Sequence, residues 1–120
     1  MYDHIGLRVR DIKAAARFYG AVLAPLGFVA GSSGEDYAGF GPKDAPALWL
    51  HVYKGEKGTG VHVCFSAPSR AAVDKFHAEG LKAGARDNGK PGVRTDYSPT
   101  YYAAFLIDLD GNNVEAVCSK

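Results

Sequence analysis

The feature that most constrains this chain is a repeat. Overlaying the sequence on itself at an offset of 58 residues sets His4 on His62, Asp11 on Ser69, Phe18 on Phe76 and Leu23 on Leu81. Each match falls at the same kind of station: strand, helix cap, or apolar helix face. A unit of this length is too small to bury a full core alone, so the two copies are expected to share one. The 15 glycines cut each copy into short pieces. Alternation over residues 2–9 predicts a strand, with Ile5, Leu7 and Val9 on one face and His4, Gly6 and Arg8 on the other. Asp11 reads as the N-cap of a helix carrying Ile12, Ala15, Tyr19, Val22, Leu23 and Leu26 inward, and Gly27 ends it. Strands are expected near residues 28–30, 37–40 and 47–53, separated by Gly-Ser and Gly-Pro turns.

The second half repeats that order. A strand over residues 61–67 leads to a Ser69 cap. The helix that follows has Val73, Phe76, His77 and Leu81 on one face and ends near Gly84. Strands at 85–87, 101–108 and 113–118 complete it, with a tight turn at Asp110-Gly111. The extra length of this half goes to residues 88–100, the longest connection, whose prolines and glycines suggest a binding loop or lid. The expected fold is α+β: a single domain of two βαβββ modules, residues 1–58 and 59–120. They form a curved mixed sheet with the helices outside.

Composition narrows the function classes. Fourteen Lys and Arg stand against 13 Asp and Glu, a net charge of +1, which supplies no basic face for nucleic acid. No apolar run approaches a membrane span. The opening Met1-Tyr2-Asp3-His4 lacks a basic segment followed by an apolar one, so no secretory signal is expected. Two cysteines, Cys64 and Cys118, are too few for a disulfide framework and fit a cytoplasmic protein.

The paired modules, the opening Asp3-His4-Ile5-Gly6-Leu7-Arg8-Val9, Phe18-Tyr19, and the closing Asp108-Leu109-Asp110-Gly111-Asn112-Asn113-Val114-Glu115 resemble the vicinal oxygen chelate superfamily. That group contains glyoxalase I, extradiol dioxygenases, and fosfomycin- and bleomycin-resistance proteins. The resemblance implies that the modules form an open barrel half, with a divalent metal in the resulting cleft held by residues from their first and last strands. By position the ligands are His4, His62 and Glu115, with Glu115 also the candidate catalytic base. The last-strand position of the first module falls at or near Leu50, which cannot bind a metal. The glyoxalase I pattern of four ligands is thereby broken.

Two histidines and one carboxylate suit Fe2+, Mn2+, Ni2+, Co2+ or Zn2+ and leave coordination positions open for a substrate. His51, next to Leu50, is expected to point away from the cleft unless the strand slips by one residue. His77, on a helix face, reads as structural. Arg8, Trp49, Tyr97, Tyr101 and Tyr102 are the candidate substrate-binding residues: a cation for an anionic group, and rings for an apolar wall. Cys64 shares the face of His62 and reads as a pocket residue, whereas Cys118 faces the other way. The reading favoured is extradiol-dioxygenase-like chemistry on a small molecule with vicinal oxygens. The alternatives are a glyoxalase-like lyase or isomerase, and a metal-free binder of the bleomycin-resistance type. A homodimer is the expected assembly, since modules of this superfamily pair within a chain or across subunits.

Overall fold

The computed structural model describes residues 1–54 and 60–120, so the expected module boundary between residues 58 and 59 lies outside the described residues. The first module is β1 (Ile5–Val9), α1 (Ile12–Leu23), a 3-10 turn (Ala24–Leu26), β2 (Val29–Ser33), β3 (Tyr37–Gly41) and β4 (Leu48–Val52). The second is β5 (His62–Ser66), α2 (Arg70–Lys82), β6 (Arg86–Val93), β7 (Tyr102–Ile107) and β8 (Asn113–Cys118). Each forms a mixed four-stranded sheet of one plan, β1-β4-β3-β2 and β5-β8-β7-β6, with the first and last strands parallel. Neither sheet closes on itself. This is the α+β arrangement of two βαβββ modules that the repeat predicts.

The repeat holds down to single atoms at the helix starts. Asp11 Oδ1 accepts from the Ala14 amide at 3.0 Å, and Ser69 Oγ accepts from the Ala72 amide at 3.1 Å. Each cap satisfies one amide that the first helical turn leaves without a partner. Phe18 and Phe76 are both buried in the shared core, where α1 packs on α2. The fourth match diverges. Leu23 is buried, but Leu81 is 43% exposed. Gly80 takes the inward position instead, and a Cβ there would meet Leu106 Cδ1 at 2.2 Å. The α2 backbone sits too close to β7 for a side chain at that point.

Two expectations about connections are corrected. Residues 88–100 are not one loop: β6 continues to Val93, with its pairing to β7 shifting register around Gly89. Gly89 has φ +151°, and its missing Cβ leaves room for Phe105. The first helix also stops earlier than Leu26, in a 3-10 turn started by Pro25 and closed by left-handed Gly27. No helix among the described residues is long and apolar enough to cross a membrane.

His77 is structural, as expected. It is buried on α2, and its Nε2 lies 2.9 Å from Asp87 Oδ1 on β6. Asp87 is held below the usual carboxylate range, first by the Gly89 amide and then by His77. A depressed folded value contributes stability above the unfolded pKa, and that contribution is lost as pH falls through the folded value. Asp87→Asn is therefore expected to flatten the acid limb of the stability profile below about pH 4. Urea unfolding at pH 3 and pH 6 checks this; parallel losses in variant and native chain would refute it.

Candidate functional site

Alternation sorts each sheet into a core face and an open face. In the second sheet Val63, Val114, Ala116, Ala104 and Leu106 point to the helices and are buried. Their neighbours His62, Cys64, Asn113, Glu115 and Phe105 face the other way, aligned by the pairings His62 with Asn113, Cys64 with Glu115, and Phe105 with Glu115. An open cleft of about 580 Å³ is lined by His62, Tyr97, Tyr101, Phe105, Asn113 and Glu115.

Glu115 is the centre of this cleft. It is only 3% exposed, yet both carboxylate oxygens are partnered. Oε1 lies 3.0 Å from His62 Nε2, and Oε2 accepts from the Tyr101 hydroxyl at 2.5 Å. The carboxylate as acceptor requires the proton of this pair on His62 Nε2. Tyr97 stands edge-on to Tyr101, with ring centres 5.0 Å apart, and His62 stacks on Phe105 at 6.3 Å. The Tyr101 hydroxyl is pushed above its ordinary value, chiefly because it donates to Glu115, so it stays a proton donor. Desolvation and then the Glu115 charge push the Cys64 thiol up to about 12. A thiol that weakly acidic is no nucleophile at neutral pH.

The structure brings together His62, Glu115, Tyr97 and Tyr101 and separates the other candidates from them. Among the described residues no three His, Cys, Asp or Glu side chains group closely enough to hold a metal, so His4 does not join His62 and Glu115 within the chain. His4 precedes β1, contacts Asp3 Oδ1 through Nδ1 at 2.7 Å, and lines a mainly apolar cavity of about 170 Å³ with Phe28, Phe40, Val63 and Phe65. Tyr102 faces the helix layer, where its hydroxyl donates to Asp74 at 2.6 Å and Arg70 lies over its ring. One residue of alternation separates it from Tyr101. Arg8 and Trp49 are on the open face of the first sheet, and neither lines the Glu115 cleft.

The first-module counterpart of Glu115 needs correction. Gly6 pairs with Trp49 as Cys64 pairs with Glu115, so the equivalent position is Trp49 and not Leu50. Leu50 is fully buried in the core, which puts His51 on the open face, contrary to expectation. The apolar alternation of Leu48, Leu50 and Val52 is the signal that marks this. No sequence signal marks Arg94, whose Pro- and Gly-containing segment reads as loop. Its guanidinium lies 5.4 Å from the Phe105 ring centre and donates to the Lys90 and Gly92 carbonyls.

Comparison with known proteins agrees with this geometry. The family model for the glyoxalase/bleomycin resistance protein/dioxygenase superfamily matches residues 2–116. A glyoxalase/bleomycin resistance protein from Albidiferax ferrireducens T118 is similar at 26% identity and TM-score 0.82, covering 98% of this chain and 97% of that one. A family enzyme from Burkholderia phytofirmans PsJN shares the fold at 19% identity and TM-score 0.76, covering 98% of each chain. So does a domain from Frankia sp. EAN1pec, at 22% identity and TM-score 0.71, covering 98% of this chain and 95% of that one. No functionally curated protein matches the chain.

Proposed function

Because the chain belongs to the glyoxalase/bleomycin resistance protein/dioxygenase superfamily, we propose that it is a divalent-metal-dependent enzyme acting on a small molecule with two adjacent oxygens. The observation that carries this reading is the buried Glu115 carboxylate, shared between His62 and Tyr101 in an open cleft. An imidazole nitrogen and a carboxylate oxygen 3.0 Å apart have the separation of two ligands on one ion with bonds near about 2 Å. His62 and Glu115 would hold the cation, and His4 of a second copy would supply the third ligand, which ties the site to a homodimer. Such an ion would chelate the two substrate oxygens and ease their deprotonation, and as Fe2+ or Mn2+ it would add the redox chemistry of extradiol ring opening.

The chain's own groups handle binding and protons. Tyr101 orients the Glu115 carboxylate and keeps one of its oxygens from rotating. Phe105 and Tyr97 supply the apolar side of the cleft. Trp49 at the fourth position leaves a three-ligand set, which favours the dioxygenase type. The Tyr101–Glu115 hydrogen bond supports a second reading, a lyase or isomerase in which Glu115 takes a proton from carbon. A cytoplasmic setting belongs to the proposal, since both cysteines are free thiols.

Titrating the metal-stripped protein with Mn2+ by calorimetry tests it. One ion per Glu115 is expected, and Tyr101→Phe should weaken uptake about 10- to 100-fold by loosening the ligand it orients. Mixing His4→Ala with Glu115→Gln protein should restore one site per mixed dimer. No uptake by the native chain would overturn the enzyme reading in favour of the binder. Uptake with no recovery on mixing would place all ligands in one subunit.

A further inference from the structure

The Glu115 cleft carries a second polar group that the reading above does not use. Asn113 stands two residues before Glu115 on the same face of β8, in register with His62 on β5, and lines the cleft with both. Its Oδ1 accepts from Asn88 Nδ2 at 3.2 Å. Its Nδ2 has no partner among the described residues, and no buried side-chain nitrogen or oxygen among them lacks one, so this nitrogen is open to the cleft. An amide whose oxygen is engaged presents donors. Asn88 lies on β6, two strands from β8 in the sheet, and an irregularity lets it reach. Asp87 pairs with Leu106 and Gly89 with Phe105, so β6 holds one residue too many at this point, and that residue is Asn88. Such a bulge re-aims a side chain that regular pairing would hold elsewhere. Here the re-aimed side chain crosses β7 and sets the orientation of the Asn113 amide.

The rest of the lining limits what that donor can serve. Tyr97, Tyr101 and Phe105 give the cleft three aromatic rings, which suit a flat apolar body. No lysine or arginine lines it among the described residues. Arg94 touches Phe105 from the β6 side, beside Gly89, and its guanidinium donates to the Lys90 and Gly92 carbonyls. A carboxylate entering the cleft would face the Glu115 charge with no cationic side chain of the lining to offset it. An uncharged acceptor would meet the Asn113 donor at no such cost.

We propose that Asn113, oriented by Asn88, is the specificity-determining residue of this cleft. It selects an aromatic molecule with two adjacent oxygens whose remaining polar group is an uncharged acceptor, such as a ketone or aldehyde oxygen, over one that carries a carboxylate. This names the substrate class of the enzyme proposed above and rests on that reading for the adjacent oxygens. The preference for the acceptor itself needs no metal.

The probes are three catechols of similar shape: 3,4-dihydroxyacetophenone, 4-ethylcatechol and 3,4-dihydroxybenzoate. Their binding to metal-stripped protein is followed by ligand-observed NMR without oxygen, at a pH where only the benzoate is charged. The ketone is expected to bind about 3- to 10-fold more tightly than the ethyl compound, the worth of one neutral hydrogen bond, and the benzoate more weakly than either. Asn113→Ala should erase the advantage of the ketone. Asn88→Ala, at an exposed position, should keep the fold and lose part of that advantage, because the amide is then free to turn. Equal binding of ketone and ethyl compound would overturn the proposal, as would an advantage that survives in Asn113→Ala protein of native thermal stability. Tightest binding by the benzoate, or no binding of any probe, would do the same. Mn2+ uptake without the advantage of the ketone would sink this proposal alone; the advantage without Mn2+ uptake would sink the metal reading alone.

Discussion

Glu115→Gln is expected to abolish Mn2+ uptake, by a thousandfold or more, while the protein remains folded. The substitution keeps the size and shape of the side chain. Its amide oxygen can still accept from Tyr101, and its NH2 can face His62 Nε2 once that ring moves its proton to Nδ1. No buried group is left without a partner, so stability should change little. The charge is lost, however, and an amide is a poor replacement for the carboxylate beside the two imidazoles of the proposed site. A second readout follows in the metal-free protein. The Cys64 thiol, pushed up to about 12 by desolvation and by Glu115, should become more acidic when that charge is removed. Iodoacetamide labelling against pH should shift to lower pH. Native metal affinity in the variant, or an unmoved labelling profile, would remove Glu115 from the centre of the site.

Asp108→Ala should cost about 3 to 5 kcal/mol, the largest loss of stability expected from any polar residue here. Asp108 is buried at the turn between β7 and β8. Its Oδ1 accepts from the amides of Asp110 at 2.9 Å and Asn112 at 2.8 Å. Its Oδ2 accepts from Asn112 Nδ2 at 2.9 Å and from the Tyr19 hydroxyl on α1 at 2.5 Å. Burial and the Asp108 charge hold the Tyr19 hydroxyl well above its ordinary pKa, so it donates at every pH where the protein is folded. Alanine would strip the turn of its organiser and leave that buried hydroxyl unpaired. For a domain of this size the melting temperature should fall by roughly 15 °C. Tyr19→Phe is the milder control, at about 1 to 2 kcal/mol, since the three remaining donors still hold Asp108. A melt unchanged in Asp108→Ala would show that the turn is held by its backbone alone.

Much of the fold was legible because duplication writes the same instruction twice. Asp11 and Ser69, or Phe18 and Phe76, are weak signals singly, but at one offset they fix helix starts and core faces together. The site was legible in part for the same reason. His62 and Glu115 lie on strands whose alternation could be read directly, and they meet. The first-module counterpart of Glu115 is one residue from where the sequence points, because the β6–β7 insertion breaks the constant offset before the last strand. Only pairing of Gly6 with Trp49 restores it. For Tyr101 and Tyr102, adjacency in sequence hides opposite directions along the chain. The position of His4 was beyond reach: it depends on how the modules sit, which packing between helices decides and no local pattern encodes.

The bond from Tyr19 to Asp108 has a bearing on descent. At the offset of the repeat, Tyr19 corresponds to His77, and both are buried rings that end on an aspartate. His77 finds Asp87 inside its own module, while Tyr19 reaches across to the other. An ancestor made of two identical single modules would have carried every such bond twice, once in each direction. Among the described residues only one direction is present. Two halves joined in one chain need not match, and here one carries a carboxylate at Glu115 where the other carries the indole of Trp49. Two equivalent stations thereby became unlike, and neither half can now stand in for the other.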